Sequence, residues 1–200
     1  MPKYKRIFKK NINSMILLIL FIGISLFIIN QIASKKNYPK ENIGGSFKLI
    51  DQNGEVFNSK DFNKKKLIYF GYTYCPDICP FDLLKISTIF KNDKRIRENI
   101  MPLFITVDPS RDTIDVIRDF LNNFDNSLTG LTGSEEEIKK IIKKFKIYVK
   151  LNKAGRDDVD YLVDHSSLIF LLNEKDQYLT FLRPAELNQD SFNKYLENAF

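Results

Sequence analysis

The chain has 200 residues, of which 44% are hydrophobic, and this is enough for one domain with a core of its own. Its formal net charge of +6 is misleading, because the first ten residues carry five basic side chains and no acidic one. Of the 31 Lys and Arg residues, 26 lie in the remainder, against all 25 acidic ones. The domain is therefore close to neutral and lacks the basic stripe of a nucleic-acid-binding protein, so we expect no nucleic-acid partner.

Residues 12–33 are predicted to form a transmembrane anchor. The segment Met15–Ile29 is almost entirely apolar, and residues 12–33 would reach roughly 33 Å as a helix, against about 30 Å of bilayer hydrocarbon. Because the basic residues 1–11 precede the span, we expect them in the cytoplasm and the domain on the far side of the membrane. The alternative is a cleaved signal peptide, but Gln31 would stand where cleavage sites carry a small residue.

A tether and a small hairpin are predicted to follow the anchor. Residues 34–42 are polar and show no periodicity, so they are predicted to link the membrane to a domain that covers residues 43–200. At the start of this domain, Phe47–Ile50 and Val56–Phe57 flank Asn53–Gly54, whose glycine can supply the positive φ of a tight turn. We therefore expect a leading β-hairpin.

The next segment has the pattern of a strand–helix–strand–helix unit. The apolar run Leu67–Phe70 predicts a buried strand, and Phe81–Phe90 has apolar residues at helical spacing. A second buried strand is predicted at Leu103–Val107, and the apolar positions from Ile114 to Phe124 line one face of a second helix.

A third helix and several strands complete the predicted domain. Ser134 and Glu137 form a capping box ahead of apolar residues at helical spacing up to Phe145. Three strands are predicted after it: Ile147–Leu151, Ser167–Leu172 and Tyr178–Leu182. A closing helix is predicted around Phe192, Tyr195 and Leu196. This order predicts an α/β fold of thioredoxin-like type, a mixed sheet with helices on both faces.

The chain's two cysteines and single histidine are the candidate site. Cys75 and Cys79 occupy the corner between the first buried strand and its helix, whereas His165 lies 86 residues after Cys79. Two cysteines at this spacing on a helix would have Cα atoms about 6 Å apart, which permits either a disulfide or a shared metal ion. A helix N-terminus favours the thiolate form. Tyr72 and Tyr74 are expected to form the wall of the crevice.

The residue types favour copper among metals, if the histidine reaches the cysteines. Two thiolates and one imidazole are a soft set of three ligands that suits Cu(I) and can extend to Cu(II). Structural zinc would need a fourth ligand, and only a carboxylate such as Asp164 could supply it. Spacing alone does not bring His165 to the cysteines, and a lone histidine is often an ordinary hydrogen-bonded residue.

Four motifs in order resemble the SCO/SenC family: Gly71–Pro80, Val107–Thr113, Leu128–Gly133 and Val163–Ser166. The resemblance covers essentially all of the domain. It implies a thioredoxin-like copper-binding factor that helps to assemble the copper centre of cytochrome c oxidase subunit II. It also implies that Cys75, Cys79 and His165 bind one copper ion, as Cu(I) or Cu(II). In an exported domain, Cys75 and Cys79 are expected to form a disulfide when oxidised.

Three aspartates inside these motifs could support the ligands. Asp77, Asp108 and Asp164 are each candidates for a place beside the metal ligands, and the alternative for each is a helix-cap or turn carboxylate. Asp164 is the most attractive, because a carboxylate next to a ligand histidine can orient its ring. Arg111 and Asp112 are expected to fix their loop, as turn and N-cap groups, rather than to touch metal.

The favoured hypothesis is a membrane-anchored copper chaperone, which binds and delivers the ion rather than acting as an enzyme. Its partner would be cytochrome c oxidase subunit II, and the sequence does not identify the copper donor. We expect a bacterial inner membrane with the domain in the periplasm, because no presequence of the mitochondrial type precedes the span.

Three alternative hypotheses assign another role to the same cysteines. The main alternative is a thiol-disulfide oxidoreductase that reduces the cysteines of that subunit before metal loading. Against it, three residues rather than two separate the cysteines, and no proline from Ser110 to Arg183 could face them. A peroxidase would need Thr or Ser where Tyr72 stands. A purely structural disulfide would close so short a loop that its entropic stabilisation is modest.

Overall fold

The structure, a computed structural model, describes residues 14–15, 17–25, 43–152, 161–190 and 192–193. The chain divides into two compact units, Met1–Glu41 and Asn42–Phe200.

The described residues of the first unit are helical. No helix among the described residues has both the length and the apolar character needed to cross a bilayer. Much of the predicted anchor at residues 12–33 lies outside the described residues, as do the basic segment 1–11 and the tether 34–42.

The second unit contains the elements of an α/β domain. Its strands are β1 (Lys48–Asp51), β2 (Val56–Asn58), β3 (Lys65–Gly71), β4 (Ile100–Thr106), β5 (Thr129–Thr132), β6 (Val149–Asn152), β7 (Leu162–His165), β8 (Ile169–Leu172) and β9 (Tyr178–Leu182). Its α-helices are α1 (Ile78–Asn92), α2 (Lys94–Asn99), α3 (Ile114–Leu121) and α4 (Glu135–Phe145). Short 3-10 helices span Ser59–Asp61 and Pro184–Glu186.

Seven of these strands form one mixed sheet in the order β2-β1-β5-β4-β3-β8-β9. Strands β3, β4 and β5 are parallel, whereas β1, β2, β8 and β9 pair antiparallel with their neighbours. Strands β6 and β7 form a separate two-stranded sheet. The connection from β3 to β4 runs through α1 and α2, as parallel pairing requires.

Helices cover both faces of the main sheet, as predicted. Successive side chains of a strand point to opposite faces, so neighbours on β3 identify what packs on each side. Tyr69 donates a hydrogen bond to Asp82 of α1 at 3.2 Å. Phe70 points the other way, with its ring centroid 5.1 Å from that of Phe145 on α4. Phe170 of β8 joins this second cluster, 5.4 Å from Phe145.

The elements that have strong local sequence signals agree best with the prediction. The leading hairpin pairs Ile50 with Val56, and Gly54 in its turn has a φ of +86°. The capping box of Ser134 and Glu137 is present at the start of α4. Helix α1 begins at Ile78, three residues before the predicted start.

Several elements differ from the prediction. Helix α2 was not expected, and it forms because the Asp93 side chain accepts hydrogen bonds from the backbone N–H groups of Arg95 and Ile96. Helix α3 ends at Leu121 rather than Phe124. Strand β7 was also unexpected, and it ends at His165. Of the predicted closing helix, residues 189–190 and 192–193 are helical and the remainder lies outside the described residues.

Candidate metal centre

The two cysteines lie on either side of the start of α1. Strand β3 ends at Gly71, and residues 72–77, which we call the cysteine loop, lead into the helix at Ile78. Cys75 is therefore in the loop, and only Cys79 is in the first helical turn. Asp77 occupies the N-cap position, but its side chain makes no capping hydrogen bond, so the alternative of a capping carboxylate is wrong for this residue.

Exposure and hydrogen bonding make the two thiols different from each other. Cys79 is fully buried and Cys75 is half-buried. The Cys75 sulfur lies 3.5 Å from the backbone nitrogen of Cys79, which donates to it. A hydrogen bond from the Cys79 thiol lowers the pKa of Cys75 to about 5, and backbone N–H groups of Asp77, Cys79 and Ile78 act in the same direction. The same thiol hydrogen bond, together with burial, raises the pKa of Cys79.

His165 approaches Cys79 from the end of β7. Its Nε2 lies 3.5 Å from the Cys79 sulfur, and its Nδ1 lies 3.2 Å from the carbonyl oxygen of Ser166. A carbonyl only accepts, so Nδ1 is the donor in this contact and Nε2 is the ring nitrogen that faces Cys79. The edge of the Tyr72 ring packs against the imidazole, with ring centroids 5.9 Å apart. Tyr72 is buried beside the imidazole.

The separation of Cys79 and His165 is compatible with two donor atoms that share one cation. The single proton of the Cys79 thiol has the Cys75 sulfur and the His165 Nε2 as neighbours, so an ion in its place would face the same donor atoms. Metal–sulfur and metal–nitrogen bonds of about 2.3 and about 2.0 Å, at a near-tetrahedral angle, separate the two donors by about 3.5 Å. Among the residues that the structure describes, no three or more His, Cys, Asp or Glu side chains are already gathered as a metal site.

Asp164 does not orient the histidine ring in this structure. It is exposed, and it neighbours His165 along β7, so the two side chains point to opposite faces of the strand. The contact with Nδ1 comes instead from the Ser166 carbonyl. A backbone partner of this kind leaves no signal in the sequence, which is why the carboxylate looked more attractive.

Asp108 lies in the turn after β4, as one of its two alternatives predicted, and its backbone carbonyl accepts from the backbone N–H groups of Arg111 and Asp112. It is buried, and its two carboxylate oxygens accept from the Arg111 Nε at 2.6 Å and from the Tyr161 hydroxyl at 2.8 Å. Arg111 therefore fixes its loop, as predicted, through a buried ion pair.

Asp112 joins the loop after β4 to the cysteine loop. Its carboxylate accepts from the hydroxyl of Thr73 at 2.6 Å, from the backbone N–H of Thr73 at 3.1 Å and from the hydroxyl of Thr106 at 2.5 Å. The predicted role in fixing a loop is confirmed, but the N-cap of α3 is Thr113. Burial raises the pKa of Asp112.

Three residues behind Cys79 were missed by sequence reasoning. A Cβ atom added to Gly71 would lie 3.2 Å from the Cys79 sulfur and 2.9 Å from the Tyr69 ring, so only glycine leaves room for both. Tyr69 donates to the buried Asp82, and burial is the main cause that raises the pKa of each. A glycine that ends a buried strand just before two cysteines was the one available signal for this close approach.

The comparisons with known proteins agree with this arrangement. A family model described as SCO1/SenC matches residues 35–199. An SCO2-like protein of Rickettsia prowazekii is 39% identical over 183 residues, which cover 86% of this chain and 89% of that protein.

Two solved structures extend the comparison. The structure of Bradyrhizobium japonicum ScoI with copper bound has a TM-score of 0.71 and 35% identity, and it covers 78% of this chain and 98% of its own. The structure of BsSco, described as a member of the Sco family of cytochrome c oxidase assembly proteins, has a TM-score of 0.65 and 22% identity, with coverage of 80% and 95%, and it shares the fold.

Proposed function

Because the chain belongs to the SCO1/SenC family, we propose that it is a copper chaperone for cytochrome c oxidase assembly. It binds one copper ion, as Cu(I) or Cu(II), through Cys75, Cys79 and His165. It delivers this ion to the copper centre of subunit II. The observation that carries the proposal is the 3.5 Å contact between the His165 Nε2 and the Cys79 sulfur.

The choice of copper rests on the donor set and on a relative. Two sulfurs and one imidazole nitrogen are soft ligands, and three of them satisfy Cu(I). Structural zinc would want a fourth ligand, and the exposed Asp164 points away from the His165 side of β7. A solved relative of 35% identity, Bradyrhizobium japonicum ScoI, is described with copper bound.

Delivery rather than catalysis is supported by the unequal exposure of the ligands. Copper can leave by ligand exchange only if an incoming thiolate reaches the ion. The half-buried Cys75 leaves one side of the site accessible, whereas Cys79 is closed off. For the receiving partner, the proposal relies on family membership, since BsSco of the same family is described among cytochrome c oxidase assembly proteins.

For the cellular location, the proposal is a single-pass protein of a bacterial inner membrane. Residues 12–33 form the anchor, and residues 43–200 form the copper-binding domain in the periplasm. The apolar segment Met15–Ile29 and the basic residues before it support this orientation, and the relative in Rickettsia prowazekii supports a bacterial source.

X-ray absorption on the purified, copper-loaded chain tests the ligand set. We expect copper at one ion per chain, with two sulfur donors and one nitrogen donor. A Cys75→Ser/Cys79→Ser double variant, prepared in the same way, should bind no stoichiometric copper. A spectrum with oxygen and nitrogen donors only, or zinc as the metal that copurifies, would overturn the proposal.

A second candidate function is thiol-disulfide exchange with the cysteines of subunit II. It is favoured by Cys75, which is half-buried and has a pKa of about 5, so that it is a thiolate at neutral pH. In this reaction Cys75 attacks the target disulfide, and Cys79 then resolves the mixed disulfide. Two electrons and the Cys79 proton pass to the target, solvent supplies the second thiol proton, and a Cys75–Cys79 disulfide remains. Insulin reduction by metal-free protein would reveal it, and rapid turnover would place it ahead of copper delivery.

A further inference from the structure

The strand that carries His165 lies outside the main sheet. Strand β7 pairs with β6 in a two-stranded sheet of its own, whereas the cysteine loop extends from β3, an interior strand of the main sheet. The main-sheet hydrogen bonds that position β3 therefore do not include β7. Side chains that join the β7 segment to the cysteine loop are the candidates for setting the distance between imidazole and sulfurs.

Arg111 contacts both the residue that precedes β7 and the cysteine loop. Its Nη1 donates to the carbonyl oxygen of Tyr161, just before β7, at 2.9 Å, and its guanidinium stacks 3.6 Å from the centre of the Tyr161 ring. It also lies 4.8 Å from the ring centre of Tyr74 and 5.7 Å from that of Tyr72, both in the cysteine loop. These distances are within the range of cation–π attraction, about 6 Å.

Asp108 holds the guanidinium in this orientation. It accepts from the Arg111 Nε at 2.6 Å and from the Tyr161 hydroxyl at 2.8 Å, so one carboxylate fixes both stacked groups. The Arg111 side chain is only 10% exposed, so little water weakens these contacts. Asp108 therefore holds the Arg111 guanidinium against the Tyr161 ring.

Tyr72 contacts both the backbone of β7 and the imidazole of His165. Its hydroxyl accepts from the backbone N–H of Val163, in the middle of β7, at 3.3 Å. Its ring packs edge-on against His165, two residues further along the strand. A displacement of the β7 segment, including Tyr161 and Val163, relative to the cysteine loop would therefore move the imidazole away from the Cys79 sulfur.

We infer that Arg111 is a positioning residue for the metal site: it clamps the β7 segment against the cysteine loop and thereby keeps His165 within reach of an ion held by Cys75 and Cys79. This inference rests on the proposed function. It assigns Arg111 no contact with the ion. Its effect falls on the nitrogen donor, since the two cysteines follow one another in the chain and remain together without it.

Substitution of Arg111 should weaken the binding of Cu(II) more than the binding of Cu(I). In Arg111→Met and Arg111→Lys, we expect Cu(II) affinity to fall about 10–100-fold, the range found when a partner that orients a metal ligand is removed. The nitrogen hyperfine splitting in the Cu(II) electron paramagnetic resonance spectrum should be lost or reduced. Cu(I) affinity should change by less than about threefold, since two thiolates suffice for Cu(I). Lysine keeps the charge opposite Asp108 but not the planar stacking, so its effect should be the smaller.

The controls separate this inference from the proposed ligand set. Arg118→Met removes an arginine that contacts Gln52 and Asp115, and it should leave both affinities unchanged. Unchanged Cu(II) affinity and splitting in both Arg111 variants, or equal losses for Cu(I) and Cu(II), would overturn the inference. If Arg111→Met does not fold, Arg111→Lys decides, because its charge still balances the buried Asp108. In parallel, a His165→Ala variant with unchanged Cu(II) affinity would refute the ligand set itself.

Discussion

The Nε2 of His165 lies 3.5 Å from the sulfur of Cys79, although 86 residues separate them in the chain. The contact joins the end of a small two-stranded sheet to the first turn of α1. It directs the Nε2 of the imidazole at a buried thiol.

Replacement of the histidine should distinguish Cu(II) from Cu(I). In His165→Ala, we expect Cu(II) affinity to fall at least about tenfold, which is about 1.4 kcal/mol, because the only nitrogen donor is lost. Cu(I) affinity should fall less, since both thiolates remain. Competition titrations with each ion measure the two affinities. The matched control is Asp164→Ala, an exposed neighbour on the other face of β7, which should change neither. Equal retention of both ions by His165→Ala would remove the histidine from the site.

The two cysteines should differ in reactivity in the metal-free, reduced protein. The thiolate is the reactive form, so iodoacetamide should modify Cys75 with a rate that rises with pH and is half-maximal near its pKa of about 5. Cys79 should stay protonated and unmodified at neutral pH, because its pKa is raised. Mass spectrometry of peptides after timed labelling would measure both rates.

The same experiment tests the cause of the lowered pKa. In Cys79→Ala the thiol that donates to Cys75 is absent, so the midpoint of Cys75 labelling should move upward towards about 8.5, the ordinary cysteine value. In Cys79→Ser a hydroxyl can still donate, and the upward shift should be smaller. Equal labelling of both cysteines at pH 6 in the native chain would contradict the assignment.

Gly71 should be required by the metal site, and Gly130 only by the fold. Gly71→Ala places a Cβ 3.2 Å from the Cys79 sulfur and 2.9 Å from the Tyr69 ring. We expect a loss of about 1–3 kcal/mol in the free energy of unfolding, together with weaker Cu(I) binding. Gly130→Ala would overlap Ile117 and lie 2.5 Å from Leu121, so it should destabilise the domain comparably. Copper affinity of the folded Gly130→Ala protein should be unchanged, and a parallel loss there would refute the distinction.

A buried ion pair should stabilise the domain without affecting copper. Lys66 and Asp176 are both buried, 2.9 Å apart, and Asp176 also accepts from the Ser59 hydroxyl at 2.6 Å. Lys66→Met leaves a buried carboxylate without its cation, so we expect a loss of about 3–5 kcal/mol in urea denaturation. The double variant Lys66→Met/Asp176→Asn should recover part of this loss, since asparagine tolerates the φ of +60° at that position. Wild-type stability of Lys66→Met would contradict the prediction.

Sequence patterns predicted the elements whose signals are local. The capping box of Ser134 and Glu137 lies within four residues, and the helix it starts has one clear apolar face, so α4 was predicted closely. The corner that carries the cysteines was likewise predicted, because an apolar strand pattern precedes it and a helical pattern follows it. Strand β7 was missed, since it has only four residues, two of them charged or titratable, and it pairs outside the main sheet.

The surroundings of the site depend on contacts between distant segments, and residue type misleads there. Carboxylates are usually exposed, so Asp108 and Asp112 were expected at turns or caps. Both are buried because partners 53 and 39 residues away, Tyr161 and Thr73, satisfy their oxygens. No spacing rule relates such pairs, and only the folded arrangement brings them together.

The unequal burial of the two sulfurs has a kinetic consequence for copper release. Under the proposed function, an incoming thiolate reaches the copper ion from the side of the half-buried Cys75, so that Cys75 is displaced first and the buried Cys79 last. Transfer is then an associative, ordered process whose rate rises with the concentration of the acceptor. Cys79 stays bound to the copper ion until the acceptor has bound it, so the ion need never be free in solution.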